Sequence, residues 1–550
     1  MKTIINKILV CLSSGIFLLG FASCSNNYMD KINKDNDDTH DAPAQFLLAD
    51  VLTSNAVNDV GGDIDTYTSS YNEYEAGDFN QLWDTEYRIG TTSSTTFGNV
   101  WLTLYSDLKN ERIIIEKCSQ GGTQAGNYHT RGMAEVMAAM TSALITDNFG
   151  DVPYSQAALP DLVSGSPKYK NPILDSQKSV YDSITNYLNN AITDLSSSST
   201  DDPGAYDYLY SGDASKWLKF AYGLKARYTL RLLDTYSDSE KATMLQSVLD
   251  DSKLSFTSNS DEAAYNMYNT SSNRNPYYDF FYSRDYFGAS ASYVNKLVAR
   301  NDPRLHRIYI NNDFDQSNGL AMEENVTPNN QNGNDDTIYT AVNGKVPQVQ
   351  DQFSYSVYSF ADTAPTMFMS YHELLFIEAE AEARLGNTTA AKQYLEEAIV
   401  AAMENTENNI TAVVNCKAKI SSDFGGAAIS WNGSTPISDA QAEQYFTDHV
   451  SSLFDQDPLK EIAVQRYLAM FGANGESTEE YATIRRYMGN EEDYIELDNP
   501  YNSKNEYPWC LPYGSSDVTD NSNVTSAYGN GQYVYSNCIW WAKGTGKSGK

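Results

Sequence analysis

The hydrophobic positions of the chain follow a helical period in two separate blocks. In the first block, apolar side chains recur every three or four residues over 99–118, 131–148, 180–195 and 215–233. This spacing places them on one face of an α-helix, so each segment predicts an amphipathic helix. Four such segments in succession predict a run of helical pairs over about 99–235.

The second block, about 370–488, carries a more specific pattern. Residues 370–385 and 388–403 predict two helices joined by a Gly-Asn turn, and 459–488 predicts one further pair. A tetratricopeptide repeat places small residues at fixed offsets so that its two helices come into close contact. At those offsets this chain has Ala379, Ala391, Leu395 and Ala398. No regular solenoid period extends along the chain, because long insertions interrupt the helical pairs.

The insertions have no sustained hydrophobic period. Residues 62–95, 261–362 and 405–440 are rich in Tyr, Asn, Ser, Gly and Asp, and the C-terminal segment 489–550 has a similar pattern. Loops of this length within a compact chain are usually functional or disordered, and here the aromatic density argues against disorder. The sequence therefore predicts an all-α, tetratricopeptide-like scaffold with long irregular loop-rich insertions, forming a single domain over 46–550.

The N-terminus has the pattern of an export signal. Two lysines precede an apolar run over 8–21 that is short for a membrane span, so residues 1–23 are interpreted as a signal peptide. The small residues that lead into Cys24 resemble a bacterial lipobox, which implies that Cys24 becomes the lipidated first residue. The polar stretch 24–45 then predicts a flexible tether between the lipid and the folded body.

Charge and composition exclude several classes of function. The formal net charge is −34, whereas a nucleic-acid-binding protein needs a basic surface, so we predict no nucleic-acid partner. The mean hydropathy of −0.50 and the single long apolar run exclude a polytopic membrane protein. Hydrophobic residues make up 41% of the chain and tyrosine occurs 41 times, so packed cores and aromatic surfaces are both available.

Signatures of catalysis are absent from the sequence. The nearest approach to a zinc-protease motif is His372-Glu373, where Phe376 stands in place of the second histidine, and no Gly-x-Ser-x-Gly elbow exists. We therefore predict no catalytic residues, no cofactor and no metal site. A hidden carboxylate pair of a glycan hydrolase stays open as an alternative, since such a pair is defined only in space.

Four cysteines remain after Cys24, and none of them has CxxC spacing. In an oxidising compartment Cys510 and Cys538 could form a disulfide bond. Four separate buried thiols, which would include Cys118 and Cys416, are an equally acceptable interpretation.

Two aromatic clusters in the insertions are candidates for ligand recognition. Tyrosine and tryptophan offer rigid faces that stack on a sugar ring, and asparagine supplies paired donors and acceptors for hydroxyl groups. The candidate ligand-binding residues are Tyr67, Tyr71, Tyr74, Asn80, Trp83, Tyr277, Tyr278, Tyr282 and Tyr286. The alternative is that these residues pack onto the scaffold or against a partner protein.

Several segments together resemble the SusD/RagB family of outer-membrane lipoproteins from Bacteroidetes. They are AAMTSALITDNFGDVPYSQAAL at 138–159, Asn-Asp-Pro-Arg-Leu at 301–305, the helix 370–384, EIAVQRYLAMFGANGESTEEYATIRR at 461–486, and the closing stretch 523–541. Two departures place the chain nearer a SusD-like second subfamily. Tyr481 replaces the family's usual tryptophan, and Cys510-Leu511-Pro512 replaces an arginine-rich segment.

The resemblance implies a function as well as a fold. It implies a non-enzymatic, lipid-anchored protein at the cell surface that captures oligosaccharides and passes them to a SusC-like TonB-dependent transporter in the outer membrane. Peptide binding, or a purely structural lid subunit without ligand affinity, are the alternatives. The resemblance also implies that Asp147, Gly150, Asp151 and Pro153 build a turn and that Arg485-Arg486 pair with carboxylates.

Overall fold

The helices of the molecule pack around a hydrophobic core, and residues from several insertions are part of that core. A computed structural model describes residues 42–89, 97–160, 162–163, 166–284, 286–310, 355–423, 435–504, 506–528 and 532–545. Cys24, the predicted signal peptide and most of the predicted tether lie outside the described residues, as do residues 311–354 of the second insertion. Residues Ala44–Lys550 belong to one compact unit.

Twenty α-helices are described, and we number them α1 to α20 in chain order. The first ten are α1 Ala44–Ser54, α2 Asp63–Tyr71, α3 Asn80–Glu86, α4 Gly98–Cys118, α5 Tyr128–Phe149, α6 Gln177–Leu195, α7 Ala214–Arg231, α8 Asp238–Ser252, α9 Pro276–Arg284 and α10 Ala291–Ala299. The others are α11 Leu305–Ile308, α12 Tyr371–Arg384, α13 Thr388–Asp423, α14 Asp439–Tyr445, α15 Ser451–Gln456, α16 Pro458–Ala469, α17 Ser477–Gly489, α18 Tyr501–Lys504, α19 Ser515–Asp520 and α20 Ser522–Tyr528. A π-helical turn, Asn55–Val60, joins α1 to the loop before α2.

Strands occur only as short antiparallel pairs in the described part of the chain. β1 Glu75–Gly77 pairs with β7 Phe287–Ala289, and β6 Ala263–Tyr265 pairs with β10 Thr366–Met369. Three two-residue pairs complete the set: β2 Val152–Pro153 with β5 Leu174–Asp175, β3 Leu162–Val163 with β4 Ser166–Pro167, and β8 Tyr309–Ile310 with β9 Tyr355–Ser356. The β1–β7 pair ties the first insertion to the second.

The all-α prediction is confirmed, and the predicted helical pairs are present. The first block corresponds to α4–α7, and the second to α12–α13 and α16–α17. Local sequence signals fix many of the helix starts, since Ser176 and Ser370 cap α6 and α12 by accepting from a main-chain N–H. Within the described residues no helix is both long enough and apolar enough to span a bilayer.

The insertions are more regular than the sequence pattern indicates. Helix α13 continues to Asp423, where the pattern predicts an end at 403, and the first insertion contains α2 and α3. In α13 the buried side chains beyond 403 include Asn405 and Asn409 beside Ile410 and Val413, so polar residues interrupt the apolar stripe. Inside the core the Asn405 amide nitrogen donates to Glu262 Oε1 at 2.9 Å.

The turn predicted after α5 is confirmed. Gly150 has a φ of +77°, a left-handed conformation that glycine adopts without strain. The Asp151 carboxylate accepts from the main-chain N–H of Gln177 at 2.8 Å, which fixes the start of α6. Asp147, in the last turn of α5, is buried and accepts from the Trp541 indole at 2.7 Å. The C-terminal segment therefore lies against this turn.

Candidate functional site

A groove of about 610 Å³ opens where three parts of the fold meet. One wall is the π-helical turn with the start of α2, the second is the start of α4, and the third is α9 with the residues before it. The walls contribute Val57, Asn58, Gly62, Asp63 and Thr66 from the first part, Asn99, Val100 and Thr103 from the second, and Arg274, Pro276, Asp279, Phe280, Tyr282, Ser283 and Arg284 from the third.

Two adjacent glycines permit this close approach of the walls. A Cβ atom on Gly61 would lie 2.9 Å from Pro276 Cγ and 2.8 Å from the Ala56 carbonyl oxygen. A Cβ atom on Gly62 would lie 2.5 Å from the carbonyl oxygen of Asn58. None of these three distances is tolerated between real atoms. A side chain at either position would therefore force the backbone around the groove to move.

An aromatic platform stands on the α9 wall. The rings of Tyr278 and Tyr282 are stacked, with centroids 5.7 Å apart and planes inclined by 11°. Tyr278 is 1% exposed and Tyr282 is 41% exposed, so the buried ring supports the exposed one. The Arg274 guanidinium lies 5.2 Å from the Tyr278 ring centroid and 5.1 Å from that of Tyr282, which adds cation–π contacts to the support.

The charges that line the groove are balanced, unlike those of the whole chain. Arg274 Nη2 lies 2.6 Å from Asp279 Oδ1 and forms an ion pair with it. Burial raises the pKa of Asp63, and the positive charge of Arg284 works against that rise. Two arginines therefore stand with two aspartates in the groove, an arrangement that suits a ligand without net charge.

A second group of aromatic residues continues from the groove along the β1–β7 pair. The Tyr286 ring centroid lies 5.3 Å from that of Phe79 and 6.3 Å from that of Phe280, which lines the groove. The Asn80 amide donates to the Tyr286 hydroxyl at 3.4 Å. Asn80 is exposed and Tyr286 is half-buried, and the Tyr286 ring connects both candidates to the groove residue Phe280.

The other aromatic candidates lie inside the protein, and we correct their assignment to a ligand-binding surface. Tyr71 and Tyr74 are 0% exposed, Tyr277 is 1% exposed like Tyr278, and Tyr67 and Trp83 are each 6% exposed. The hydroxyl of Tyr74 donates to the Tyr467 carbonyl oxygen at 2.8 Å, and that of Tyr277 to Glu75 Oε1 at 3.2 Å. Because buried acceptors satisfy the hydroxyls of Tyr74 and Tyr277, these two tyrosines can serve as core residues in a segment rich in polar residues.

Sequence reasoning missed the charged and amide side chains of the groove. These are Asn58, Asp63, Asn99, Arg274, Asp279 and Arg284. One signal was available, since the last three lie in or directly beside the aromatic cluster 277–287. For Asn58 and Asp63 no signal existed, because the π-helical turn that places them beside α9 has no mark in the sequence.

The residue pair that comes nearest to a catalytic motif has a structural role. His372 is 1% exposed, its Nε2 lies 3.2 Å from Glu476 Oε2, and its Nδ1 lies 3.1 Å from the Asn405 amide nitrogen. Glu373 forms a buried ion pair with Arg227. Among the described residues no group of His, Cys, Asp and Glu side chains is placed to hold a metal ion.

The pairing expected for the two arginines of α17 is present for only one of them. Arg486 Nη2 donates to Glu380 Oε2 at 2.7 Å. Arg485 instead donates to main-chain carbonyl oxygens, those of Asp147 at 2.7 Å and Trp509 at 2.8 Å. Arg485 therefore links α17 to the turn after α5 and to the C-terminal segment.

A helical-pair scaffold that carries an open groove with an aromatic platform defines a class of protein suited to ligand binding. The chain matches the family model SusD-like_2, which is described as starch-binding and associating with the outer membrane, over residues 38–505. The chain therefore belongs to the SusD-like family. Proteins of this family are binding proteins rather than enzymes.

Solved structures agree with this membership. A SusD/RagB family protein from Bacteroides thetaiotaomicron is 44% identical, with a TM-score of 0.80 over 92% of this chain and 100% of that chain. A chitin-binding protein (19% identity, TM-score 0.64, 90% of this chain and 99% of that chain) shares the fold. A SusD homolog from Bacteroides fragilis (18% identity, TM-score 0.64, 91% and 99%) does so too. No curated protein matches this chain.

Proposed function

We propose that this chain is a cell-surface lipoprotein that binds oligosaccharide nutrients in the groove and delivers them to a SusC-like TonB-dependent transporter. The observation that carries the proposal is the exposed Tyr282 ring, held by Tyr278 and Arg274 in a charge-balanced groove. Membership of a family described as starch-binding and associated with the outer membrane supports it.

The groove has the two kinds of contact that a sugar needs. The Tyr282 ring offers an apolar face to the C–H side of a pyranose, and Asn58, Asn99 and Thr103 offer amide and hydroxyl groups to its O–H groups. Each hydrogen bond exchanged with water contributes only about 1 kcal/mol, so we expect modest affinity for a single oligosaccharide. Efficient capture then depends on the transporter that receives the ligand.

The predicted lipid anchor gives the proposal its location. Acylation of Cys24 would hold the chain at the outer membrane, since each buried methylene contributes about 0.8 kcal/mol. With a formal net charge of −34 over the full sequence, the chain gains no attraction from anionic headgroups, so the lipid must supply the attachment. Replacing Cys24 with alanine should release the protein from outer-membrane fractions while the folded body keeps its melting temperature.

Isothermal titration calorimetry tests the ligand part of the proposal. The probes are neutral oligosaccharides, uronic-acid oligosaccharides and peptides, titrated into the chain without residues 1–24, which retains the whole compact unit from Ala44. We expect a neutral oligosaccharide to bind and Tyr282→Ala to weaken it about tenfold, which corresponds to about 1.4 kcal/mol of lost stacking.

The matched control is Tyr206→Ala, because Tyr206 is also 41% exposed and lies outside the groove. This control should bind like the parent chain. If no oligosaccharide binds while a peptide does, the sugar part of the proposal is wrong. If nothing binds but the chain still co-purifies with the transporter, the protein is a structural lid.

A further inference from the structure

Two cysteines of the C-terminal segment meet in the core. Cys510 Sγ and Cys538 Sγ lie 2.8 Å apart, although 28 positions separate the two residues in the sequence. Their side chains are 1% and 2% exposed. A disulfide bond is about 2.05 Å long, so a side-chain adjustment of less than about 1 Å would bring the two sulfur atoms to bonding distance.

The scaffold fixes each cysteine through its neighbours. Beside Cys510, the Trp509 carbonyl oxygen accepts from Arg485 Nη1 at 2.8 Å. Beside Cys538, the main-chain N–H of Trp540 donates to Gln177 Oε1 at 2.7 Å. Because separate helices set the two positions, the meeting of the sulfur atoms is a property of the fold.

We propose that Cys510 and Cys538 form a disulfide bond when the protein folds outside the cytoplasm. One cysteine thiolate attacks a disulfide oxidant, such as an oxidised dithiol protein or glutathione disulfide, and a mixed disulfide forms as one oxidant thiol leaves. The second cysteine thiolate then attacks that mixed disulfide and displaces the second thiol. Two electrons pass from the cysteines to the oxidant, and the two cysteine protons end on the two released thiols or in water.

The timing of this reaction follows from burial. In the folded protein neither sulfur is accessible to an oxidant, so the first attack takes place before the C-terminal segment closes on the scaffold. Once formed, the bond is shielded from reductants in the same way. A shielded bond of this kind has a structural function.

The bond would close a loop that reaches the wall of the groove. Between the two cysteines, Asp517 accepts from the Trp101 indole at 2.7 Å. Trp101 belongs to α4 and follows Val100, which lines the groove. Closing the loop at its base therefore holds the support of that groove wall in place.

Peptide mapping of the full chain, exported to the cell envelope and purified without reductant, tests the proposal. After denaturation, iodoacetamide should modify Cys118 and Cys416, and a single cross-linked peptide should join Cys510 to Cys538. Prior reduction should allow all four cysteines to react. Modification of all four without reduction, or a cross-link between a different pair, would overturn the proposal.

Thermal melting provides a second readout that does not depend on mapping. Reduction in denaturant, followed by refolding in reductant, opens a loop of 28 positions, for which loop-closure entropy and the size of the chain predict a fall of about 3 °C in Tm. The double variant Cys510→Ser/Cys538→Ser should show no response to reductant, and Cys118→Ser should retain the parent response. The same response to reductant in the parent and the double variant would contradict the bond.

Discussion

The Glu380 carboxylate links α12, the first helix of the second helical block, to α17, the last helix of the same block. Its replacement tests how much ion pairs contribute to the stability of that block. Glu380 Oε1 accepts from Arg384 Nε at 2.7 Å, and Oε2 accepts from Arg486 Nη2 at 2.7 Å and from the Tyr487 hydroxyl at 3.0 Å. Glu380 and Arg486 are each 4% exposed, so water cannot replace these contacts. The change Glu380→Gln keeps the shape and removes the charge.

The expected loss of stability is large for a single isosteric change. Breaking one partner of a buried ion pair costs about 3–5 kcal/mol, because the other charge is left buried. We therefore expect Glu380→Gln to lower the free energy of unfolding by about 4 kcal/mol. For a folded unit of this length the unfolding entropy is about 1 kcal/mol/K, so Tm should fall by about 4 °C.

The pH dependence gives the same prediction an independent check. Burial alone would raise the pKa of Glu380, but the guanidinium groups of Arg486 and Arg384 outweigh it and hold that pKa well below its usual range. The stabilisation by Glu380 is then present above about pH 4.3, the pKa of an unfolded glutamate, and is lost as the pH falls further. The difference between parent and variant should therefore shrink in acid.

Differential scanning calorimetry of both proteins at several pH values measures these differences. The matched control is Asp182→Asn, which breaks an exposed ion pair with Lys178, also spaced four residues apart. Such a pair contributes at most about 0.5 kcal/mol, so the control should shift Tm by less than about 1 °C. If Glu380→Gln costs no more stability than Asp182→Asn, the interior ion pairs do not stabilise the scaffold.

Two further predictions concern the region around the groove. Burial raises the pKa of Glu111 to about 8. The folded state therefore retains a proton that the unfolded state releases above about pH 4.3. Stability falls as the pH rises from about 4.3 to about 8. Glu111→Gln should match the parent near pH 4 and exceed its unfolding free energy by about 3 kcal/mol at pH 7, as measured by urea unfolding; equal stabilities at pH 7 would contradict the burial argument. Gly62→Ala should lower stability by about 1–3 kcal/mol and weaken ligand binding in calorimetry, because its Cβ would lie 2.5 Å from a backbone oxygen. Gly98→Ala, whose Cβ would meet only Ser515 Oγ at 3.8 Å, is the control, and a similar loss in both variants would contradict the steric argument.

Helix α6, which could be predicted from the sequence, buries one face and exposes the other. Val180, Ile184 and Leu188 are buried at helical spacing, and most positions between them are exposed or partly exposed. In α6 the hydrophobic period of the sequence therefore matches the burial of the side chains. Helix α8 was missed even though Ser237 and Glu240 form a capping box at its start, a signal that the sequence does contain.

Helix α2, which also escaped prediction, is buried on nearly every side. In α2 all residues from Ile64 to Tyr71 are buried, and the Thr68 hydroxyl donates to the Ile64 carbonyl oxygen at 2.8 Å. A segment of this kind has no polar face, so the hydrophobic period that marks a helix vanishes. Because α2 shows no hydrophobic period, the sequence alone places its tyrosines, Tyr67 and Tyr71, on a ligand-binding surface.

The candidate site was predictable as a region and not as a set of contacts. Tyrosine density around 277–287 pointed to the wall that carries Tyr282. Which rings face outward depends on the β1–β7 pair and on the close approach allowed by Gly61 and Gly62. Such long-range relations leave no local pattern in the chain.

The contact between Trp541 and Asp147 also sets an order of events in folding. These residues are separated by 394 positions, and the same carboxylate accepts from Arg231 and Tyr181. A chain is made from its N-terminus, so this indole is added long after the Asp147 carboxylate. The buried carboxylate therefore lacks one of its three donors until residue 541 has been made, and chains truncated before residue 541 should be more sensitive to proteases than the full chain.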